Sequence, residues 1–85
     1  MKAFHVSVTM AFSERVFAMN NGVKLAEYFT GKTVYRTHHF LIGSVDTPHE
    51  AIQKALQCKQ LYEEPDSIVY DAVAVEESNF DFIIP

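Results

Sequence analysis

The sequence is poor in the residues that staple or interrupt small proteins. Its 85 residues contain one cysteine, Cys58, three glycines, three prolines and no tryptophan. One cysteine excludes an intramolecular disulfide framework and a zinc site with several cysteine ligands, and it suits a reducing compartment. No apolar run exceeds four residues, so neither a membrane-spanning helix nor a signal-peptide core is predicted. We therefore expect a single cytoplasmic domain over residues 1–85.

Basic residues are missing from the last third of the chain. Residues 60–85 contain seven acidic residues and no lysine or arginine, although the whole chain has a net charge of only −4. Any surface that this segment forms is anionic, which disfavours it as a nucleic-acid-binding face. It is either an ordinary solvated surface or a contact surface for a basic protein partner. The candidate partner-binding residues are Glu63, Glu64, Asp66, Glu76, Glu77 and Asp81.

Three segments have the patterns of β-strands. Residues 2–10 alternate between apolar side chains and smaller or polar ones, which predicts a half-buried strand. Residues 33–43 are β-branched and aromatic and predict a second strand. Residues 68–75 are apolar on both faces except for Asp71, which predicts a central strand covered on both sides. Residues 80–84 alternate briefly and are compatible with a short edge strand.

The clearest helix signal surrounds Pro48. Thr47 is suited to the N-cap, Pro48 to the first helical position, and Glu50 can complete a capping box with Thr47. The apolar residues that follow keep helical spacing. Since Pro65 prevents the helix from continuing, the predicted helix runs from about Pro48 to Glu63.

Residues 13–31 support two predictions. As a helix, they would gather their apolar side chains on one arc, with Gly31 as a left-handed C-cap. Asn21-Gly22 between apolar segments is, however, the strongest short signal for a β-hairpin. A combination of the two assigns a strand to residues 15–19 and a helix to residues 22–30.

These elements together predict an α+β fold. We expect a small single-layer sheet of three to five strands, antiparallel or mixed, with one or two helices packed on one face. The other face of the sheet would then be partly exposed.

The four histidines are the main candidates for catalysis or metal binding. His38 and His39 are adjacent in a predicted strand and point to opposite faces, so only one of them can lie beside His5. With a carboxylate such as Asp46 or Asp71, that pair would supply a zinc site or a small His-dependent hydrolase. No spacing signature supports either function, and partly exposed strand histidines are the preferred interpretation. We predict no catalytic residue and no metal site.

Other chemistry-bearing residues have simple structural explanations. Cys58 falls on the apolar side of the predicted helix, which indicates a buried, inert thiol. Asp71 is interpreted as an outward-facing strand residue. The glycines are isolated and form no phosphate-cradling loop, so we predict no cofactor.

Eleven aromatic residues raise the alternative of a nucleic-acid-binding accessory protein. The candidates are Tyr35, Phe40 and Tyr70 for stacking on bases, with Arg15, Lys32 and Arg36 for phosphate contacts. The acidic second half dilutes this basic footprint, and most of the rings are needed for a core. Nucleic acid is therefore not the leading partner.

Two stretches of the sequence, VFAMNNGVKLAEYF and FLIGSVDTPHEAIQKAL, share a pattern of strand, polar cap and helix. This pattern resembles short reading frames of phages, plasmids and integrated elements. In size, acidity and α+β make-up the chain is similar to anti-CRISPR and related anti-defence proteins. The resemblance implies an inhibitor, but those proteins share no motif from which a functional residue could be transferred.

The leading hypothesis is a non-catalytic protein-binding module. The resemblance implies an inhibitor that blocks a basic nucleic-acid-binding surface of a target protein, and the acidic C-terminal half would make the contact. A standard interface of about 800 Å² would take roughly 16% of the surface of a compact chain of this mass, so small size does not prevent tight binding. We expect no membrane association, and a homodimer is compatible with the sequence.

Overall fold

The computed structural model describes residues 1–77, which form three β-strands and two short helices. Strand β1 comprises Lys2–Asn20, β2 comprises Val23–Val45 and β3 comprises Ile68–Glu76. Helix α1 comprises Pro48–Ala55, and a 3₁₀ helix follows at Lys59–Tyr62. The strands form one antiparallel sheet in the order β2-β1-β3, so β1 is the central strand.

The prediction of an α+β sheet packed with one or two helices is wrong. Strands make up 66% of the described structure, and the helical part is limited to the eight-residue α1 and the 3₁₀ turn. Residues 22–30, predicted as a helix, form the turn and the first part of β2. The molecule is therefore predominantly an antiparallel sheet.

A tight turn between β1 and β2 replaces the second predicted helix. Asn21 and Gly22 form a two-residue turn with positive φ angles of 52° and 79°, as a type I′ hairpin requires. Gly31 has the left-handed conformation expected of it, with φ of 85°, but it lies inside β2 and not at a helix end. The hairpin alternative is correct, and the predicted strand over residues 15–19 is confirmed within β1.

The core lies between α1 and one face of the sheet. Phe4, Val6, Val8 and Met10 alternate along β1 and are almost completely buried, which confirms the half-buried strand over residues 2–10. Each such side chain stabilises the fold by about 1.5–3 kcal/mol relative to an exposed position. The core is completed by Val45, Ala51, Ala55 and Leu61.

Strand β3 lies at the edge of the sheet, and its predicted central position is wrong. Within residues 1–77 it pairs only with β1, which leaves its other edge free. Ala72 and Ala74 face the helix, whereas Val73 and Val75 face the opposite side and are exposed. The presence of apolar residues on both faces of β3 therefore does not mean that both faces are buried. The possible strand over residues 80–84 lies outside the described residues.

Helix α1 begins as predicted and ends early. Oγ1 of Thr47 accepts a hydrogen bond of 3.2 Å from the Glu50 amide, and Pro48 opens the helix. The helix ends at Ala55 instead of near residue 63, and the Tyr62 hydroxyl donates to the Leu56 carbonyl at 2.8 Å. A side chain thus satisfies one of the carbonyls that the helix end leaves free.

Cys58 is not part of the helical stripe to which it was assigned. It lies between α1 and the 3₁₀ helix, where it is partly buried against the core. Its surroundings remain those of a small packing residue.

Candidate protein-binding site

The two longest strands continue beyond the body of the sheet as a two-stranded arm, residues 14–32. Pairing between β1 and β3 ends at Ala11 and Ile68, so within the described chain the arm has only two strands. The molecule measures 55 × 27 × 19 Å, and its radius of gyration is 17.7 Å. A compact chain of this length would have a radius of about 12 Å. The arm accounts for this elongation.

The arm starts at an irregularity in the sheet. Between the pairs Ser13–Thr33 and Arg15–Phe29, β1 has one residue and β2 has three. Such a bulge bends a ribbon and redirects its side chains. Before the bulge, even-numbered β1 residues face the helix; after it, Arg15 and Phe17 line the same cleft as Phe12 and Arg36.

Polar contacts hold the base of the arm against the loop that precedes β3. The Arg15 guanidinium donates to Glu27 across the arm at 2.9 Å and also pairs with Glu64 of the loop. The Asp66 carboxylate accepts a hydrogen bond of 2.9 Å from the Ser13 amide. That bond lowers the pKa of Asp66 and keeps the carboxylate ionised. The loop thereby fixes the direction of the arm.

The arm exposes far more apolar surface than a solvated ribbon needs. Its exposed apolar residues are Val16, Phe17, Met19, Val23, Leu25, Tyr28 and Phe29. Summed over both faces of the arm, they expose on the order of 800 Å². Two-stranded ribbons are marginally stable by themselves, so these side chains are suited to contact another surface.

The two faces of the arm can be distinguished by pairing. Phe29 is paired with Arg15, whose guanidinium contacts the loop on the helix side, and Phe17 lies two residues further along β1. Phe17 and Phe29 therefore lie on the helix side, with exposures of 49% and 67%. Tyr28, the neighbour of Phe29, points to the opposite side. We call the face of Phe17, Met19 and Phe29 the helix-side arm surface.

A cleft opens at the base of this surface. Its volume is about 230 Å³, and its lining includes Phe12, Phe17 and Val34 together with Arg15 and Arg36. The Arg36 guanidinium lies over the Phe12 ring, 5.0 Å from its centroid. Pockets for drug-sized ligands start at about 300 Å³, so this cleft fits one side chain of a protein partner better than a small molecule.

The sheet face opposite α1, called here the open face, is uncovered in the described residues. Its central strand contributes small residues and His5, and the flanking strands contribute large residues. The large apolar residues are Tyr35, Leu41, Ile68, Tyr70, Val73 and Val75. Tyr35 and Tyr70 meet edge to face across Ala11, with ring centroids 4.8 Å apart.

The acidic candidates form two groups at opposite ends of β3. Glu63, Glu64 and Asp66 lie in the loop beside the arm, whereas Glu76 and Glu77 lie at the other end of the strand. A strand of nine residues separates the groups by about 30 Å. The five described candidates therefore do not form one continuous face, and Asp81 lies outside the described residues.

Several of these carboxylates also have partners within the chain. Besides the contacts of Glu64 and Asp66 at the arm, Glu76 lies 3.6 Å from the Lys2 ammonium and Glu77 pairs with His5. Glu63 is exposed beside the arm base. Of the group near the arm, it is the residue most available to a partner.

His38 lies on the opposite face of the sheet from His5 and His39, which are diagonal neighbours on the open face. His38 faces the helix side, and His39 faces the open face, where its Nδ1 lies 3.1 Å from Ser7 Oγ. His5 is engaged by Glu77 at the rim. Within residues 1–77, no three His, Cys, Asp or Glu side chains are grouped as metal ligands. Asp71 points outwards from β3, as expected.

The rings and cations of the nucleic-acid alternative do not share one surface. Tyr35 and Tyr70 lie on the open face, whereas Phe40 is partly buried against the core. Arg15 and Arg36 line the cleft on the helix side, and Lys32 lies in the bulge of the arm.

The exposed apolar residues of the arm were missed by the sequence analysis as a binding surface. In the helical alternative for residues 13–31, Met19 and Phe29 lie on the apolar arc. Asn21-Gly22 was the signal that could have revealed them, because a hairpin turn there extends both strands away from the core.

Comparison of the chain with protein-family models, curated proteins and solved structures found no match. Among the described helices, neither has the length and apolarity needed to cross a bilayer. The functional proposal therefore rests on the surfaces of the molecule itself.

Proposed function

We propose that the chain is a non-catalytic protein-binding module whose helix-side arm surface contacts the partner. The observation that carries this proposal is the exposure of Phe17, Met19 and Phe29, which are 49%, 58% and 67% accessible on a projecting ribbon. Phenylalanine and methionine are enriched at protein interfaces, where aromatic anchors in pockets supply much of the binding energy. Burial of one such side chain contributes about 1.5–3 kcal/mol.

The surroundings of this surface suggest the chemistry of the partner. The charges around it are mixed: Arg15 and Arg36 line the cleft, and the Lys24 ammonium lies 4.7 Å from the centre of the Phe17 ring. Glu63 lies beside the arm base, where a charge at the rim of an interface accelerates encounter and selects partners more than it holds them. The partner that fits is a protein with an apolar contact area and a basic group that faces Glu63.

This arrangement is compatible with the inhibitor that the anti-CRISPR resemblance implies. In that form, the arm would occupy the basic nucleic-acid-binding surface of a target protein in the cytoplasm. The group of Glu63, Glu64 and Asp66 would provide the acidic contacts, beside an apolar anchor. His5 and His39 lie on the open face, away from the helix-side arm surface, where they are engaged by Glu77 and Ser7.

The test compares two neighbouring residues on opposite faces of the arm. Phe29→Thr removes the helix-side ring, and Tyr28→Thr removes a similarly exposed ring from the other face. Threonine retains strand propensity in both variants. The three chains are immobilised and exposed to a lysate of the organism that encodes them, and the retained proteins are quantified by mass spectrometry.

We expect at least one protein to be retained by the wild type and by Tyr28→Thr, and to be depleted about tenfold or more by Phe29→Thr, as expected for loss of an anchor. The proposal fails if all three chains retain the same proteins equally, or if the wild type retains none.

A further inference from the structure

The open face has the composition of an interface and not of a solvated sheet. Its six large apolar residues expose on the order of 700 Å², close to the 800 Å² that each partner contributes to a standard interface. Lysine and arginine are absent from this face over residues 2–11, 35–41 and 68–75, where all three strands pair. Depletion of charge together with tyrosine is typical of the centre of interfaces.

Two pairs of polar side chains on the open face are already bonded within the chain. Thr9 and Thr37 share a hydrogen bond of 2.9 Å between their hydroxyls, and Ser7 Oγ lies 3.1 Å from His39 Nδ1. Covering a polar group is costly mainly when it loses its hydrogen bond. Because these pairs are satisfied within the chain, a covering surface would not have to supply their partners.

We propose that the open face is covered by the open face of a second copy of this chain, in a two-fold symmetric β-sandwich. Two-fold dimers are the commonest closed assemblies, and aligned sheets stack about 10 Å apart. In the order β2-β1-β3, a two-fold axis parallel to β1 lays β2 of one copy over β3 of the other. The two contacts between β2 and β3 are then identical by symmetry.

This arrangement makes the face self-complementary in charge. His39 lies on β2 opposite Ser7, and Asp71 lies on β3 opposite Thr9, so they occupy opposite flanks about 7 Å apart along β1. If the Ser7 hydroxyl donates to His39 Nδ1, the other ring nitrogen carries a proton and can donate to a carboxylate. The axis along β1 brings His39 of each copy towards Asp71 of the other.

The assembly is tested by sedimentation equilibrium from low to high micromolar concentration. The wild type should approach twice its monomer mass of 9.7 kDa. Val73→Lys places a charge on β3, where it is covered by β2 of the other copy, and should weaken the dimer about tenfold or more. Phe29→Lys, on the helix-side arm surface, should leave it unchanged. Circular dichroism confirms that both variants fold.

A charge exchange tests the orientation of the two copies. Asp71→Lys and His39→Glu should each weaken the dimer, and the double variant should restore it, because lysine and glutamate then face each other across the axis. A wild-type monomer at all concentrations overturns the proposal, as does a monomer that binds a foreign protein through Val73. If the double variant does not regain the dimer affinity of the wild type, the stacking of β2 on β3 is wrong. The dimer is independent of the arm proposal, since Val73 and Phe29 report on separate surfaces.

Discussion

Asp66 and Arg15 show how single polar groups decide where the arm points. The Asp66 carboxylate accepts the Ser13 amide at 2.9 Å, and Arg15 joins Glu27 of the arm to Glu64 of the loop. Neither role was evident from the sequence, because both depend on contacts across about 50 residues. The Thr47 cap, in contrast, was predictable, since all of its partners lie within three residues.

Removal of the Thr47 cap should destabilise the fold measurably. Thr47→Ala leaves the Glu50 amide without its acceptor and should lower the free energy of unfolding by about 1 kcal/mol. Urea titration gives the value. Gln53→Ala, an exposed substitution in the same helix, should change it by less than about 0.5 kcal/mol. Equal effects of the two substitutions would mean that the cap contributes nothing.

Acidification should weaken the contact between the loop and the arm base, because protonation of Asp66 weakens its hydrogen bond with the Ser13 amide. The pKa of this carboxyl is lowered in the folded chain by the Ser13 hydrogen bond. A lowered folded pKa gives stability that is present above the unfolded pKa of about 4 and is lost as pH falls through the folded value. We expect wild-type stability in urea to fall more than that of Asp66→Asn over that range. Parallel pH profiles would show that the bond does not anchor the arm.

At the scale of elements, the local sequence pattern identified the strands but not where they begin and end. Residues 2–10, 15–19 and 33–43 all lie in strands, yet the two strands of the hairpin run on without a break. The helical interpretation of residues 22–30 is wrong. A strand alternates apolar and polar residues only when one of its faces is buried, and this exposed ribbon has apolar residues at spacings that also fit one face of a helix. The turn chemistry at Asn21-Gly22 was the stronger evidence.

The hairpin turn should be sensitive to the loss of Gly22. Its φ of 79° is in the left-handed region, where an alanine costs about 1–2 kcal/mol. Gly22→Ala should therefore reduce the protection of arm amides in hydrogen exchange about fivefold or more. Gly43→Ala is the control, because Gly43 lacks a positive φ and has open space for a Cβ. Unchanged protection in Gly22→Ala would contradict the turn assignment.

At the scale of the whole molecule, the described residues 1–77 leave two apolar surfaces unburied. Its accessible surface is 6178 Å², against about 5,100 Å² for a compact protein of this mass. Composition indicated enough apolar residues for a core but not which of them stay outside. The strand order β2-β1-β3 was also not predictable, because it depends on which distant segments pair and not on their local sequence patterns.

The charge distribution should influence association only near the arm. Glu63→Lys should slow association with the captured partner, and the wild-type rate should fall as salt rises, since charges are screened over about 8 Å at physiological ionic strength. Glu76→Lys, about 30 Å away along β3, should have little effect. Stopped-flow or biosensor kinetics give the rates. Rates independent of salt and of both substitutions would show that the acidity only keeps the protein solvated.

Photo-crosslinking in the native cell tests most directly whether the helix-side arm surface contacts the partner. Benzoylphenylalanine is placed at position 29 in one chain and at position 28, on the opposite face of the same strand, in another. We expect a crosslinked protein, distinct from a second copy of the chain, from position 29 and not from position 28. Equal products from both positions, or no foreign protein from position 29, would contradict it.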